Sequence, residues 1–247
     1  RSEEHTSEPQ SPHDLVCRLL LERNLGHIKL ARPVFYIQYI KEVLKILKCV
    51  CFKCSKLLIS KHKYKHAMNL DASARWKYVY GAASSISRCG EDTDDGCGCL
   101  QPKKIKKEGL ATIYASWASK QTAPVEGGDK RKQAAAEEDT VVMMLTAEIV
   151  LRIFKRISDD DINFMGFSSQ WARPESMICQ VMLVPPPSVR PSVKQDTQQR
   201  SEDDLSHILV NIIKTNKMLQ SKINTASADV VDDWTTVLQY YIATQVD

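Results

Sequence analysis

The sequence predicts an α+β fold that is largely helical, with small strands and a zinc-stabilised cysteine site. Three observations predict it. Apolar residues recur at helical spacing in several segments, one strand-length apolar run stops at consecutive prolines, and cysteines are spaced as metal ligands. The chain has 247 residues and 43% hydrophobic content, but only 9 glycines and 5 phenylalanines. One or two small subdomains are therefore expected rather than one large globule.

The first helix is predicted over residues 34–47, where apolar residues return every three or four positions. Another helix opens at Thr146, a candidate N-cap. Ser158 and Asp161 then fit a capping box around a run of three aspartates at residues 159–161. Adjacent carboxylates on a helix point in different directions, so this run predicts the start of a short helix rather than a catalytic metal site.

Residues 177–184 form a mostly apolar run of strand length. Prolines at residues 185–187 lack backbone donors and have a fixed φ, so the strand must end there and continue as a stiff extended loop. Basic side chains on such a loop are suited to contact a polyanion. The candidate nucleic-acid-binding residues are Arg190, Lys194 and Arg200.

Two helices are predicted to close the chain. Ser201 and Asp204 fit a capping box, and an apolar stripe runs from Leu205 to a helix end near Ile223. After the short polar connection 224–228, a second stripe is made by Val230, Trp234, Val237, Leu238 and Tyr241. Two stripes joined by so short a connection imply an antiparallel helical hairpin.

The cysteines predict a structural metal site. Cys51 and Cys54 form a Cys-x-x-Cys motif, whose spacing lets two thiolates face one ion, and Cys89 and Cys97 follow as single ligands. Four sulfurs suit a closed tetrahedral zinc site. Cys49 and Cys99 stay open as substitutes, because each lies two residues from a proposed ligand.

Other thiols and imidazoles receive simpler interpretations. A disulfide framework is not expected because nothing indicates secretion, so Cys17 and Cys179 are interpreted as unpaired thiols. His62 and His66 are one helical turn apart and could bind a metal on a helix, but interleaved lysines favour exposed side chains. The range 53–66 contains five lysines without a carboxylate, which alone indicates a solvated basic face.

The sequence has no apolar run near the roughly 20 residues that span a bilayer, so a soluble intracellular protein without a membrane partner is expected. Residues 1–24 are interpreted as an artefactual or disordered extension, because their first part resembles a translated sequencing adapter. Residues 120–140 are polar and rich in Ala, Gly and charge, which predicts a linker or surface insertion.

Several motifs occur in order from about residue 25 to residue 247. They are Gly26-His27-Ile28, Ala31-Arg32-Pro33-Val34-Phe35, Gly96-Cys97-Gly98, Gln101-Pro102, Arg173-Pro174-Glu175, Val184-Pro185-Pro186-Pro187, Val189-Arg190-Pro191-Ser192, Asp203-Asp204-Leu205 and Leu238-Gln239-Tyr240-Tyr241-Ile242-Ala243-Thr244. Together these motifs resemble the largest-subunit family of DNA-directed RNA polymerase II, as found in eukaryotes or large DNA viruses, and chance seldom produces ordered matches over such a span.

The resemblance implies a fragment of the polymerase clamp, a mobile wall beside the nucleic-acid cleft. It implies a zinc-binding clamp head over residues 25–119, a clamp core segment over 141–187, a lid-like loop over 188–201 and a clamp coiled-coil hairpin over 202–247. The same four cysteines correspond to the family's zinc ligands. An earlier zinc site of the family, just before Gly26, has none of its ligands here, so residues 25–35 are expected to be frayed.

The implied function is to enclose the DNA template and the RNA:DNA hybrid, with initiation factors and a NusG-type elongation factor docking on the hairpin. Other polymerase subunits are implied partners, and the nucleus, or a viral factory or virion, is the implied location. The chain would be part of a nucleotidyltransferase without catalytic residues of its own, because the family's Asn-Ala-Asp-Phe-Asp-Gly-Asp motif does not occur here. Mg²⁺ would belong only to the complete polymerase.

Two alternatives from other functional classes remain. One is a freestanding zinc-stabilised nucleic-acid-binding module, and the other is a structural interaction protein that uses the helical hairpin without nucleic acid. Salt-dependent binding to an RNA:DNA hybrid would separate them, because phosphate contacts release counterions and weaken as salt rises.

Overall fold

The computed structural model describes residues 26–118, 140–191, 193–194 and 200–245. Within these ranges the chain divides into two compact units, one made of residues 32–179 and the other of residues 26–31 with residues 180–245. Both helices and small sheets are present, so the α+β prediction is confirmed. In the described ranges, no helix is long and apolar enough to cross a membrane. The predicted extension 1–24 and nearly all of the predicted linker 120–140 lie outside the described residues.

The chain begins its described part with strand β1, Gly26–Phe35, and continues through a short 3-10 helix into helix α1, Ile40–Cys49. The helix predicted from residue 34 therefore starts later, because Val34 and Phe35 end a strand. The expectation that residues 25–35 are frayed is wrong for residues 26–35. Val34 and Phe35 are buried, and burial of these apolar side chains stabilises the strand end.

Three more helices belong to the unit 32–179: α2, Ala72–Ala83; α3, Ala147–Lys155; and α4, Asp159–Phe164. The Thr146 hydroxyl accepts a hydrogen bond from the Ile149 backbone at 3.4 Å, and the Ser158 hydroxyl accepts one from Asp161 at 3.2 Å. Both predicted N-caps are confirmed. The aspartate run does open a short helix, but Asp161 is buried and forms an ion pair with Lys61 at 2.6 Å.

A three-stranded antiparallel sheet in the same unit was not predicted. Its order is β2–β3–β4, with β2 at Lys104–Glu108, β3 at Thr112–Ala118 and β4 at Thr140–Leu145. Cross-strand register places Ile105 opposite Ala115 and Ile113 opposite Leu145. These four residues are buried in the core that also contains the buried residues of α1, so the sheet has one covered face.

Strand β5, Ile178–Val184, begins in the last two residues of the first unit and continues into the second. It pairs with β1 and ends directly before the prolines as predicted. Helices α5, Asp204–Lys222, and α6, Ala228–Thr244, follow. The buried Asn216 side chain accepts a hydrogen bond from Ala31 N at 2.7 Å and donates one to Lys29 O at 2.9 Å. This amide satisfies backbone groups of β1 that would otherwise lack partners.

Helices α5 and α6 pack against each other, and residues 223–227 join them. The predicted capping box is wrong, since the N-cap of α5 is Asp203 and Ser201 lies in the short strand β7, Arg200–Ser201. The second apolar stripe is shifted, because Val230 and Val237 are exposed. Val231, Leu238, Ile242 and Ala243 are the buried residues of α6. A projecting antiparallel coiled coil stays a prediction.

Candidate metal centre

The first cysteine pair lies on a tight hairpin directly after α1. Cys51 N donates to Lys56 O at 2.9 Å, Ser55 N donates to Cys51 O at 2.9 Å, and Leu58 N donates to Cys49 O at 3.0 Å. Ser55 occupies the left-handed region with φ of 60° and is fully buried, so the turn is fixed by its surroundings. This hairpin places the Cys51 and Cys54 side chains on the same side of the turn, with both sulfurs in one cluster.

The second pair lies on another hairpin, spanning residues 87–101. Cys89 N donates to Cys99 O at 2.9 Å, Gly98 N donates to Cys89 O at 3.0 Å, and Gln101 N donates to Ser87 O at 2.8 Å. Gly98 has φ of 72°, a conformation that glycine adopts without a Cβ penalty. The Gly-Cys-Gly motif is thus the return strand of a hairpin that carries Cys97 back toward Cys89.

The two hairpins bring four sulfurs together. The Sγ atoms of Cys51 and Cys97 are 3.5 Å apart, and those of Cys54 and Cys89 are 3.7 Å apart. All four ligand atoms lie within 4.8 Å of one another. These separations greatly exceed the roughly 2.05 Å of a disulfide. The structure therefore brings together the four cysteines that the sequence predicted as ligands.

The donor set fits a zinc ion. A tetrahedron with zinc–sulfur bonds of about 2.3 Å has sulfurs about 3.8 Å apart, close to the two short separations here. Thiolates favour zinc over the hard cations that prefer oxygen ligands. Cys51 and Cys89 are almost fully buried, while Cys97 is exposed. Four protein sulfurs leave no open coordination position, which is the pattern of a structural site rather than a catalytic one.

The two substitute cysteines lie outside the four-sulfur group. Cys49 is fully buried at the end of α1, and its thiol donates to Lys45 O at 3.3 Å; burial raises the pKa of Cys49 to about 12. Cys99 packs beside the cluster, but its thiol donates to Leu100 O at 3.6 Å. His62 and His66 are exposed, as expected, and a His66 ring nitrogen lies 2.7 Å from the Tyr78 hydroxyl.

The surroundings of three of the thiols shift their acidity in different directions. Burial is the largest influence on Cys89 and on Cys54, and it raises the pKa of both. Burial also opposes ionisation of Cys51, but backbone N–H groups of Cys54 and Lys53, with the Cys97 and Gln101 side chains, lower the pKa of Cys51 to about 7. These hydrogen bonds favour the thiolate form of Cys51, and a divalent cation would supply charge that favours the thiolate forms of Cys54 and Cys89.

Lysines of the range 53–66 are largely exposed, as their spacing indicated, and two of them also form ion pairs with the second hairpin. Lys56 Nζ lies 2.6 Å from an Asp95 carboxylate oxygen, and Lys63 Nζ lies 2.6 Å from one of Asp92. The other Asp92 oxygen accepts a hydrogen bond from Ser60 N at 3.0 Å. The acidic partners come from residues 91–95, more than 25 positions away, so no local sequence pattern indicated these pairs.

The three predicted nucleic-acid-binding residues lie in two different parts of the loop. Arg190 is half-buried, and its guanidinium donates to Pro185 O at 3.1 Å and to the Ser206 hydroxyl at 3.2 Å. Lys194 and Arg200 lie at facing positions of a two-residue ladder, in which β6, Val193–Lys194, pairs with β7. Arg190 therefore ties the loop to the first turn of α5, a role that its position in a basic loop did not suggest.

Two comparisons with known proteins point to the same family. The model of the family described as RNA polymerase Rpb1, domain 1, matches residues 7–247. The DNA-directed RNA polymerase II subunit RPB1 of Euplotoides octocarinatus is 39% identical over 233 residues, which cover 91% of this chain and 46% of that protein. The chain thus spans about half the length of this curated relative. The matched range begins within residues 1–24, which the sequence interpretation had set aside. Because the family model covers nearly the whole chain, the protein belongs to the RNA polymerase Rpb1 domain 1 family.

Proposed function

We propose that this chain is the clamp region of the largest subunit of a DNA-directed RNA polymerase, and that Cys51, Cys54, Cys89 and Cys97 bind a structural zinc ion in its head. The four-sulfur cluster carries the proposal, because its ligand atoms lie within 4.8 Å of one another in a chain that belongs to this family. Zinc would join the two hairpins that carry these cysteines, so metal binding would contribute folding free energy.

Ligand substitution tests the zinc part of the proposal. The chain carrying Cys51→Ser and Cys54→Ser should lose zinc and unfold more easily, because only two of four sulfurs remain. Cys49→Ser is the matched control, since that thiol bonds to Lys45 O outside the cluster, and it should retain one equivalent of zinc. Zinc content and thermal unfolding report both results. Stoichiometric zinc in the double variant would refute the ligand set.

The proposed nucleic-acid contact is the loop 188–201, acting as a lid at the upstream end of the RNA:DNA hybrid. The β6–β7 register supports it, because it places positions 194 and 200, both basic residue types, opposite each other in one short ladder of the loop. Basic residues can bind phosphate groups without reading base sequence. Arg190 would help mainly by fixing the start of the loop, since two of its donor groups are already engaged.

The remaining functional proposals concern the complete polymerase. The chain would contribute to nucleotidyl transfer in the nucleus by enclosing the DNA template and hybrid, beside other subunits, while catalytic Mg²⁺ is held elsewhere. The connection between α5 and α6 would receive initiation factors and a NusG-type elongation factor. A freestanding nucleic-acid-binding module is not favoured, because the relative that matches 91% of the chain is a polymerase subunit.

Charge reversal in the assembled polymerase tests the lid. Lys194→Glu with Arg200→Glu should shorten the lifetime of elongation complexes, and the difference should shrink at high salt because phosphate contacts are screened. Lys155→Glu with Lys214→Glu is the control of equal charge change, placed on α3 and α5. An unchanged lifetime in the first variant, or an equal loss in the control, would count against the lid assignment.

A further inference from the structure

The side chain of Gln101 connects the two cysteine hairpins at the candidate metal centre. Its backbone belongs to the second hairpin, where Gln101 N donates to Ser87 O at 2.8 Å. Its amide nitrogen donates to the Cys51 sulfur at 3.3 Å and to Cys99 O at 3.0 Å. Its amide oxygen accepts from Phe52 N at 3.3 Å. One side chain therefore contacts a ligand sulfur and a backbone N–H group of the first hairpin, and a carbonyl oxygen of its own hairpin.

These contacts fix the orientation of the amide. Nitrogen faces two acceptors, a sulfur and a carbonyl oxygen, and oxygen faces a backbone donor. The flipped amide would place oxygen against both acceptors and nitrogen against an N–H group, so all three contacts would become unfavourable. The Gln101 side chain is half-buried, and a locked donor there can hold negative charge on sulfur without a competing rotamer.

The Cys51 sulfur is the most heavily hydrogen-bonded of the four ligand candidates. It also accepts from Lys53 N at 3.4 Å, so backbone and side-chain donors converge on one sulfur. Hydrogen bonds to an ionised acceptor are stronger than neutral ones, and groups that orient and polarise a ligand commonly alter metal affinity by 10- to 100-fold. Loss of the Gln101 side chain would remove a hydrogen bond to this sulfur and one of the links between the two hairpins.

We propose that Gln101 is a positioning residue of the metal centre, which retains the ion by donating a hydrogen bond to the Cys51 sulfur while joining the two hairpins. The inference rests on the proposed zinc site and adds to it a residue that does not itself bind metal. The proposal predicts that metal retention depends on the donor nitrogen of Gln101. The stability of the hairpin alone would not account for metal retention.

Two variants separate the donor from the rest of the side chain. Gln101→Glu retains an acceptor for Phe52 N but replaces the donor with a negative charge beside Cys51, and Gln101→Met removes both functions at similar length. With the full chain loaded with Zn²⁺, transfer to a chromogenic chelator should be about tenfold faster for Gln101→Met and faster still for Gln101→Glu. With Co²⁺, the sulfur-to-cobalt charge-transfer band should move to lower energy in both variants, because a hydrogen bond to sulfur is lost.

Ser87→Ala provides the control within the same hairpin. It removes the hydroxyl that donates to Glu91 at 3.3 Å but touches no ligand sulfur, so the cobalt band and the zinc transfer rate should match the wild type. If the wild-type chain binds no stoichiometric metal, the zinc site itself fails. If the wild type binds metal and the Gln101 variants match it, or if Ser87→Ala loses metal equally fast, the Gln101 proposal is overturned while the zinc site stands.

Discussion

Substitution of Gly96 by alanine should disrupt the metal hairpin, and its effect can be derived from the structure. A Cβ atom added at Gly96 would lie 2.1 Å from Gly90 Cα and 2.2 Å from Gly90 N. An ordinary carbon–carbon contact is about 3.5 Å, so the two backbone segments must separate by about 1.4 Å. Backbone atoms cannot move aside as a flexible side chain can, and Cys97 directly follows Gly96.

A displacement of that size is large for a metal site, where distances must stay within about 0.2 Å of their ordinary values. We therefore expect Gly96→Ala to destabilise the zinc-loaded chain by about 3 kcal/mol, the upper end for overpacking, and to lower zinc occupancy. Denaturant unfolding with zinc analysis measures both effects. The matched control is Gly81→Ala, because Gly81 lies inside α2 with open space at its Cβ position.

Gly81→Ala should stabilise the chain by about 0.5–1 kcal/mol through helix propensity, with unchanged zinc content. The two substitutions have the same chemistry and opposite expected signs. Equal stability and full zinc occupancy in Gly96→Ala would refute the close approach of the hairpin strands and the argument built on it.

Two further predictions concern ion pairs. Lys61→Met should destabilise the chain by about 1–3 kcal/mol in a denaturant titration, because the buried Asp161 carboxylate loses its partner at 2.6 Å. Lys53→Met is the control, since the Lys53 side chain is exposed, and it should leave the free energy of unfolding unchanged. The Lys63 ammonium and Ser60 N–H hold the pKa of Asp92 below its usual value. The stability that these contacts contribute is present above the unfolded pKa of about 3.9 and is lost as pH falls through the lower folded pKa. Asp92→Asn should therefore lose less stability than the wild type between about pH 5 and 3. An equal acid dependence in the two proteins would show that Asp92 does not contribute to the acid sensitivity of folding.

Sequence patterns predicted helix and strand ends correctly where these ends depend on neighbouring residues. The N-caps at Thr146 and Ser158 and the strand end before Pro185 depend on residues adjacent in sequence, and the structure has all three. The start of α1 was predicted too early because β1 ends in apolar residues that continue the three-to-four spacing by coincidence. The capping box at Ser201 failed because that residue pairs with Val193 instead.

The three-stranded sheet could not be predicted from its sequence pattern. In β2 the single inward residue, Ile105, is surrounded by lysines and looks like part of a charged block. In β4 the apolar residues are consecutive and do not alternate with polar ones, and Val141 and Val142 are both exposed. This pattern does not distinguish a strand from the start of helix α3. Pairing with β3 over long sequence separation decides the structure.

For the metal centre, the Cys-x-x-Cys spacing and the family motif were sufficient to identify four cysteines, and the hairpin geometry excludes Cys49 and Cys99 from the cluster. No sequence pattern comparable to Cys-x-x-Cys indicated which other residues contact the cysteine sulfurs. Gln101 acts through a side chain that reaches 50 positions back along the chain to Cys51, and contacts of that kind appear only once both hairpins are folded.

The most direct test of the account is X-ray absorption at the zinc edge of the metal-loaded chain. The account predicts one zinc ion per chain with four sulfur neighbours at about 2.3 Å and no nitrogen or oxygen in the inner sphere. A spectrum that requires two or more nitrogen or oxygen ligands, or a chain that binds no zinc, would contradict it.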